Sequence, residues 1–266
     1  MLEAQGVEIG YESRPVIHNA SFKLHEGEVS GVIGPNGTGK TTLLKALSAV
    51  LRISVGKVVC GAGTERRDLH SMTRKEVARL VGVVPQLAEY GGAFKVFDVV
   101  LMGRYPHLDG FFSFETPEDV RICEASMELV GVGHLRERSM GELSGGERQL
   151  VALSRALAQE TKILLLDEPT AHLDPKYQMR VLALLRELTR DRQLTSVVVL
   201  HDLNLAVRFC DRLLLLNRGS VHAIGTTSEV LTPENIADVF EVDAEVTESA
   251  DGYPHVLVKG VTDQQV

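Results

Sequence analysis

The segment that most constrains the fold is glycine-rich and runs from Gly34 to Thr41, with the sequence GPNGTGKT. It fits G-x-x-x-x-G-K-[ST] in full and lies between an apolar run, residues 29–33, and a helical pattern over residues 41–51. Glycines let backbone N–H groups curl around phosphate oxygens, and the helix N-terminus adds partial positive charge. Lys40 would reach the β- and γ-phosphates, and Thr41 would ligate Mg²⁺. The segment therefore predicts a strand–loop–helix unit that binds phosphate.

A second candidate element is the apolar run Ile163–Leu166, which ends in Asp167 and Glu168. Asp167 is expected to coordinate Mg²⁺, either directly or through another ligand of the ion. Glu168 can polarise an attacking water as a general base. Taken alone, the two carboxylates are equally typical of a strand end in solvent. Paired with the phosphate loop, they indicate a nucleotide site.

Short apolar runs alternate with helical patterns from residue 144 onward. The helical patterns cover about 147–159, 175–190 and 203–209, and the apolar runs cover 162–166, 196–200 and 213–217. This alternation predicts a parallel sheet with helices on both faces.

Other parts of the chain show different patterns. Residues 7–11 and 20–24 alternate apolar and polar side chains, which predicts antiparallel strands with one wet face. The stretch 73–140 is predicted to be a mostly helical insert. Its parts are a strand at 81–84, helices at about 96–102 and 117–130, and an aromatic loop at 105–114. Residues 226–266 mix a helix with weak strands.

Charge and cysteine content exclude several classes. The chain has 28 Lys and Arg against 36 Asp and Glu, a net charge of −8, which argues weakly against a dedicated nucleic-acid binder. Its three cysteines, Cys60, Cys123 and Cys210, form no CxxC, so neither a metal knuckle nor a disulfide scaffold is expected. No signal peptide or membrane span is visible, so we expect a soluble, intracellular chain that needs a partner to act at a membrane.

The pentapeptide LSGGE, residues 143–147, supplies a resemblance to a known family. It matches the signature of the ATP-binding cassette (ABC) ATPases, which generic phosphate-loop enzymes lack, and it is itself a glycine nest before a helix. The resemblance covers about residues 1–245. It implies an α/β P-loop NTPase fold, the ABC cassette, with a RecA-like parallel-sheet core, an antiparallel β-subdomain and a helical insert. The implied parts of this single domain, residues 1–266, are a core at about 1–85 and 144–225, a helical subdomain at about 86–143 and a tail at about 226–266.

The resemblance also implies roles for individual residues. Tyr11 would stack on adenine, Gln86 would sense Mg²⁺ and the attacking water, Asp174 would communicate across a dimer, and His201 would contact the γ-phosphate. Ala171 stands where the family often has Ser. The implied catalytic residues are Glu168, His201 and Gln86, and the implied Mg²⁺ ligands are Thr41, Gln86 and Asp167. The implied nucleotide-binding residues are Tyr11, Gly34, Asn36, Gly37, Gly39, Lys40, Thr41, Thr42, Ser144, Gly145, Gly146 and Asp174.

A subfamily resemblance rests on the segment GRYPH, residues 103–107, and on the tail 225–246. Both are similar to the cassettes of iron–siderophore, haem and cobalamin importers. In such cassettes the helical insert meets the membrane subunit, so the aromatic cluster Phe111–Phe114 is expected to form a docking surface. The alternative is that the cluster packs inside the helical insert.

The resemblance implies an ATP-hydrolysing subunit of a membrane importer, at the cytoplasmic face of the membrane, that uses ATP and Mg²⁺. Its expected partners are a second copy of itself, transmembrane permease subunits and, indirectly, a periplasmic or lipoprotein substrate-binding protein, with no nucleic acid. Three alternatives stay open: a non-transport ABC ATPase of the repair or translation type, import of another substrate, and a monomeric phosphate-loop kinase.

Overall fold

The computed structural model describes residues 1–11, 14–61, 63–86, 90–108, 115–171, 173–248 and 252–262. The strands are β1 (Leu2–Tyr11), β2 (Arg14–Leu24), β3 (Val29–Ile33), β4 (Ile53–Cys60), β5 (Arg67–Asp68), β6 (Val81–Val84), β7 (Ile163–Leu166), β8 (Thr195–Val199), β9 (Arg212–Asn217), β10 (Ser220–Thr226), β11 (Val242–Glu248) and β12 (Pro254–Val261). The α-helices are α1 (Lys40–Leu47), α2 (Arg74–Leu80), α3 (Val96–Leu101), α4 (Pro117–Val130), α5 (Gly145–Ala158), α6 (Pro175–Asp191), α7 (Leu203–Phe209), α8 (Thr227–Val230) and α9 (Pro233–Phe240).

The central sheet has six strands in the order β10-β9-β3-β8-β7-β6. Neighbours from β9 to β6 are parallel, and β10 joins the edge antiparallel to β9. A second, antiparallel sheet has the order β2-β1-β4-β5, and β11 pairs with β12 as a separate hairpin. The predicted parallel sheet and antiparallel strands are therefore both present.

The apolar strands of the central sheet are buried on both faces. In β7, Ile163 and Leu165 lie in an apolar cluster with β1, β2, β4 and α1, whereas Leu164 and Leu166 lie in a second cluster with helices α3 to α7. Successive side chains of a strand point to opposite faces, so a sheet covered on both sides needs an unbroken apolar run. This explains why these strands show no polar alternation.

The helical insert is built from α3, α4 and the packing of both against α5. Helix α4 has the predicted bounds because its ends carry strong signals. Thr116 and Asp119 form a capping box at its start, Pro117 occupies its first turn, and Gly131 ends it in the left-handed conformation. A 3₁₀ helix, Met102–His107, follows α3 and takes up part of the predicted aromatic loop.

One expectation about local structure changes. The helix predicted over 41–51 ends at Leu47, where Ser48 caps it and Ala49 turns the chain with φ of 53°. As a result Val50, expected on the apolar face, is 76% exposed. The aromatic cluster Phe111–Phe114 lies outside the described residues, as does His172.

The tail consists of α8, α9 and the β11–β12 hairpin, so it is more regular than the expected mixture of a helix and weak strands. Helix α9 packs on β11, and β12 packs on α7. Among the residues described, no helix has the length and apolar character that a membrane crossing requires.

Candidate functional site

The candidate site lies at one edge of the central sheet. The glycine-rich loop follows β3, Gln86 follows β6, Asp167 and Glu168 follow β7, and His201 follows β8. The order β3-β8-β7-β6 makes these four strands neighbours, and they run parallel. Their carboxyl ends therefore meet at one edge, where ligands bind in open α/β sheets.

The loop contains three glycines, and the structure requires them for two different reasons. A Cβ on Gly34 would lie 2.3 Å from the carbonyl oxygen of Leu216, and one on Gly39 would lie 2.6 Å from Ile17 Cδ1. Both also have positive φ, 146° and 100°. Gly37 has φ of 81°, but a Cβ there would meet nothing within 4 Å. The first two are needed by the fold, while Gly37 exposes bare backbone to an incoming group.

Lys40 begins α1 with its side chain folded over the loop. Its Nζ donates to the carbonyl oxygens of Gly34 at 2.8 Å and Pro35 at 2.9 Å, and the residue is 5% exposed. Burial lowers the pKa of Lys40, and the nearby Glu168 and Asp167 oppose that shift. The loop therefore holds a desolvated ammonium group beside its own backbone, which is a strong partner for an anion.

Thr41, in the first turn of α1, and Asp167, at the end of β7, bring two oxygen atoms together. The Thr41 hydroxyl donates to Asp167 Oδ1 at 3.2 Å, and the backbone N–H of Asp167 donates to Val84 at 2.9 Å. Burial raises the pKa of Asp167, which the Thr41 hydroxyl opposes and the neighbouring Glu168 reinforces. Thr42, the next residue of α1, is also buried.

These oxygens suit Mg²⁺. In the described part of the chain, no three His, Cys, Asp or Glu side chains are arranged to hold a metal ion. Mg²⁺ does not need such a set, because it takes one or two carboxylates and completes its shell with water and substrate phosphates. The hydroxyl of Thr41 beside the carboxylate of Asp167 fits that requirement.

Glu168 is the centre of a second group. Its carboxylate accepts a hydrogen bond from Gln86 Nε2, and His201 Nε2 lies 2.5 Å from its Oε1. Its φ is 48°, an unusual backbone conformation for a residue other than glycine, of a kind that clusters at functional sites. Three residues that are 33 or more positions apart in the chain thus meet at one carboxylate.

The LSGGE segment is organised differently. Ser144 caps α5: its hydroxyl and backbone N–H both donate to Glu147 at 2.8 Å, and the Glu147 N–H donates back to the Ser144 hydroxyl. These bonds lower the pKa of Glu147. Gly145 faces open space, whereas a Cβ on Gly146 would lie 3.0 Å from Tyr177 Cγ. Within the described ranges, Ser144 makes no hydrogen bond to the phosphate loop.

Asp174 and Tyr11 also stand apart from the central group. Asp174 caps α6 by accepting from the Tyr177 N–H at 3.2 Å. Tyr11 ends β1 and is 46% exposed, and Asn36, at the tip of the loop, is exposed as well. The structure therefore brings together Lys40, Thr41, Asp167, Glu168, Gln86 and His201. It leaves Tyr11, Ser144, Gly145, Gly146 and Asp174 outside that network.

Arg104, in the GRYPH segment, is a buried anchor. It is 6% exposed, pairs with Asp119 and Glu160 at 2.8 Å each, and donates to the Ala158 carbonyl oxygen at 2.7 Å. The next residue, Tyr105, is 57% exposed. The arginine of this segment thus joins the helical insert to the end of α5, while the tyrosine beside it faces outward.

Arg155 is a residue that sequence reasoning missed. Its guanidinium donates to the Val83 carbonyl oxygen at 3.1 Å and lies over the Tyr90 ring, 5.4 Å from its centre. It thereby supports the strand that leads to Gln86. An arginine within a helix gives no local signal of such a contact, so the sequence could not have revealed it.

A loop after the first parallel strand, with its lysine and a carboxylate from another strand end, defines a P-loop nucleotide-binding protein. The family model for "ABC transporter" matches residues 17–171, more than half of the chain. The chain therefore belongs to the ABC transporter family, and its class is the ATP-binding cassette ATPases.

Two relatives and two solved structures show which members of the family this chain resembles. The chain is 38% identical over 245 residues to an iron(3+)-hydroxamate import ATP-binding protein of Bacillus subtilis, covering 92% of this chain and 89% of that protein. It is 41% identical over 265 residues to a hemin import ATP-binding protein of Pseudomonas entomophila, covering 97% and 100%.

The first structure is described as a metal-chelate type ABC transporter in an inward-facing conformation. It matches with a TM-score of 0.83 and 30% identity, over 97% of this chain and 96% of that one. A dimeric bacterial ABC transporter cassette matches with a TM-score of 0.74 and 25% identity, over 85% and 99%. These matches confirm the predicted cassette fold.

Proposed function

We propose that this chain is the ATP-binding and ATP-hydrolysing subunit of a membrane importer, which takes up a metal chelate of the iron–siderophore, haem or cobalamin type. The observation that carries the proposal is the meeting of Lys40, Thr41, Asp167, Glu168 and His201 at one sheet edge. The similarity to the hydroxamate and hemin import proteins supports the choice of cargo. That choice rests on these similarities, because the described residues of the site are those of a phosphate and Mg²⁺ site.

The phosphate loop binds the ATP phosphates in this proposal. Backbone N–H groups around Gly37 and the start of α1 donate to the phosphate oxygens. The Lys40 ammonium gives up its hydrogen bonds to the carbonyl oxygens of Gly34 and Pro35 and binds the β- and γ-phosphates instead. Thr41 and Asp167 would hold Mg²⁺, with Gln86 as a further oxygen ligand. Bound there, the ion neutralises charge on the phosphate oxygens. Tyr11, exposed at the end of β1, stacks on adenine.

Glu168 activates the attacking water. Its carboxylate lies between Gln86 and His201, which fix its orientation from two sides. It accepts a proton from water as water attacks the γ-phosphorus, and the ADP oxygen leaves. His201 contacts the γ-phosphate and stabilises its developing charge.

The proposal includes a second copy of the chain. Ser144, Gly145 and Gly146 of one copy face the γ-phosphate bound to the other, and Asp174 lies at the same interface. The open surface at Gly145 supports this arrangement, as does the similarity to a dimeric cassette. The pair works at the cytoplasmic face of the membrane with transmembrane permease subunits, and through them with a substrate-binding protein. No nucleic acid takes part.

The same proposal divides the single domain into functional parts. The ATP-binding core covers about 1–85 and 144–225, the helical subdomain about 86–143, and the tail about 226–266. The packing of α5 against both α3 and α4 supports a mechanical connection between the first two parts. A movement that starts at the nucleotide can reach the helical subdomain through this helix.

Glu168→Gln tests the catalytic assignment. The amide keeps the shape and the contact with Gln86 but cannot take a proton, so kcat should fall by about 100-fold or more while ATP still binds. ATP-dependent dimers should accumulate, measured by size-exclusion chromatography with light scattering. The exposed Glu187 of α6 provides the matched control, and Glu187→Gln should hydrolyse ATP normally. Normal turnover in Glu168→Gln would contradict the assignment.

Transport is tested by finding which partner stimulates ATP hydrolysis by this chain. Vesicles containing the permease and its substrate-binding protein should stimulate ATP hydrolysis, and should take up the chelate when ATP is supplied on the cassette side. Stimulation by DNA or ribosomes, without a membrane partner, would instead favour the repair or translation class. Phosphorylation of a small acceptor would indicate a kinase.

A further inference from the structure

The side chain of Asn204 makes a two-bond clamp on the C-terminal hairpin. Its Nδ2 donates to the carbonyl oxygen of Val256 at 3.1 Å, and the N–H of Val256 donates back to its Oδ1 at 2.8 Å. Asn204 lies in the first turn of α7, and Val256 lies in β12, 52 residues later in the chain. One amide therefore satisfies both backbone groups of a single strand residue.

The clamp occupies the free edge of the hairpin. In an antiparallel pair, the N–H and C=O of one residue point together either to the partner strand or away from it. Val256 is opposite Val246 in β11, and its two groups are directed to Asn204 instead. The Asn204 amide thus takes the place of a neighbouring strand at an edge that would otherwise be unpaired.

Asn204 is three residues after His201, and Asp202 lies between them. Asp202 Oδ1 accepts from the N–H groups of Asn204 at 2.8 Å and Leu205 at 3.0 Å, which ties this turn to the residue next to His201. Helix α7 has 7 residues, and helices that short are not stable on their own. The position of its first turn therefore depends on what the turn is fastened to.

The hairpin is a firm support for that turn. Val256 and Ala244, one from each strand, are each 5% exposed and belong to the same apolar cluster as Val207 and Phe209 of α7. Hairpin and helix thus share one core, and the Asn204 clamp joins them at the end of α7 nearest His201. A shift of the hairpin would therefore move the backbone of His201, whose side chain contacts Glu168.

We infer that the C-terminal hairpin positions His201 for hydrolysis, with Asn204 as the positioning residue. This inference rests on the role of His201 in the proposed function and adds the tail to the catalytic machinery. The clamp acts through the direction of the His201 side chain and does not touch the phosphate loop. Loosening it therefore lowers the rate of hydrolysis and leaves ATP affinity unchanged.

The test uses the full chain with Asn204→Ala, which removes both bonds, and Asn204→Asp, which keeps the acceptor and the shape but loses the donor. We expect kcat to fall about 3- to 10-fold in Asn204→Ala and at least as far in Asn204→Asp, because a carboxylate oxygen then faces the Val256 carbonyl oxygen without a donor. The dissociation constant for ATP should stay within about twofold of wild type. Asn235→Ala is the matched control, because the Asn235 side chain also makes two hydrogen bonds, to the Val230 carbonyl oxygen and to His222 Nε2. Its kcat should be normal even if its melting temperature falls as much.

A double variant separates this inference from the proposed function. His201→Ala with Asn204→Ala should be no slower than His201→Ala alone, because the clamp has nothing left to position. Multiplied losses in the double variant, or a normal kcat in Asn204→Ala beside a slow His201→Ala, would overturn the inference alone. A normal kcat in His201→Ala would overturn the proposed role of His201, and the inference with it.

Discussion

The phosphate-loop side and the signature side of this cassette satisfy their polar groups in different ways. On the first side the contacts join different elements: Thr41 bonds to Asp167, and Glu168 meets both Gln86 and His201. On the signature side the bonds stay within one helical turn, as Ser144 shows with its partner Glu147. The first side is assembled from several elements of this chain. The second is a complete helix start with an uncovered face, since Ser144 and Gly145 are exposed among the described residues.

The glycines show the same contrast. Gly34 and Gly39 have positive φ, and a side chain on either would collide with the fold. Gly145 has no positive φ, and a Cβ on it would meet nothing within 4 Å. Its own fold would therefore accept a side chain. A glycine that the chain does not need at this point is explained by a molecule that approaches from outside, as the proposed dimer requires.

The largest effect is expected on the phosphate-loop side. Lys40→Ala removes a buried ammonium that donates two hydrogen bonds, so ATP affinity should fall by about 100-fold. Isothermal titration with ATP would measure the loss, with the exposed Lys57 of β4 as control in Lys57→Ala. Unchanged affinity in Lys40→Ala would contradict the phosphate-loop assignment.

A second effect concerns stability in the helical insert, where Asp119 of α4 is paired with Arg104. Burial raises the pKa of Asp119, but hydrogen bonds from Thr116 and Arg104 outweigh it and lower the pKa to about 2. A lowered carboxyl pKa adds stability above the unfolded value, near 4, that is lost as pH falls toward 2. Asp119→Asn should therefore reduce the free energy of unfolding by about 2 kcal/mol at pH 6, and by much less near pH 2.

Urea unfolding followed by circular dichroism at several pH values would measure this difference. A pH-independent deficit in Asp119→Asn would show that lost packing, and not the ion pair, is responsible.

The phosphate-loop side gives the opposite sign, because burial raises the pKa of Asp167. That carboxylate opposes folding at neutral pH, so Asp167→Asn should raise the free energy of unfolding at pH 7, measured in the same way.

The smallest effect is expected at the uncovered face. Gly145→Asp should fold and bind ATP normally as a monomer, since a Cβ there meets nothing within 4 Å in the described part of the chain. A carboxylate facing the partner's γ-phosphate should nevertheless lower hydrolysis by about 10-fold. Loss of ATP binding in the monomer would instead mean that Gly145 serves its own phosphate loop.

Mixing the two impaired variants, at an ATP concentration too low to saturate Lys40→Ala, gives the sharpest test of the difference between the two sides. A dimer of one Lys40→Ala chain and one Gly145→Asp chain has one site with both defects and one intact site. Equal mixing should make half of the dimers mixed, and so restore about a quarter of wild-type hydrolysis. No recovery, with mixed dimers shown to form, would contradict a site shared between two copies.

Local signals explain which parts of the fold could be predicted. The helix α4 was predictable at both ends because its capping box and its final glycine lie within the segment itself. The helix over 41–51 was overextended because residues 48–51 have helix-compatible composition. The turn at Ala49 is set by where the chain must enter β4. The tail hairpin was only vaguely predictable, since strand pairing between 242–248 and 254–261 leaves little trace in sequence.

The candidate site divides in the same way. The phosphate loop and the carboxylates at 167–168 were predictable because each is a short contiguous motif at a strand end. The meeting of Gln86 with Glu168 and His201 follows from the strand order, which a single sequence does not reveal. The Asn204 clamp and the burial of Arg104 depend on partners 15 to 56 residues away, and neither has a local signal.

The contact of Gly146 with the ring of Tyr177 has an electrostatic consequence. Gly146 is the second residue of α5 and Tyr177 the third of α6, so the positive ends of two helix dipoles lie side by side. The carboxylates of Glu147 and Asp174 lie at these two helix starts and offset the positive ends, in a chain whose net charge is already −8. Two copies, each of net negative charge, repel each other at long range. The rate at which they associate should therefore increase with salt, which screens the long-range repulsion.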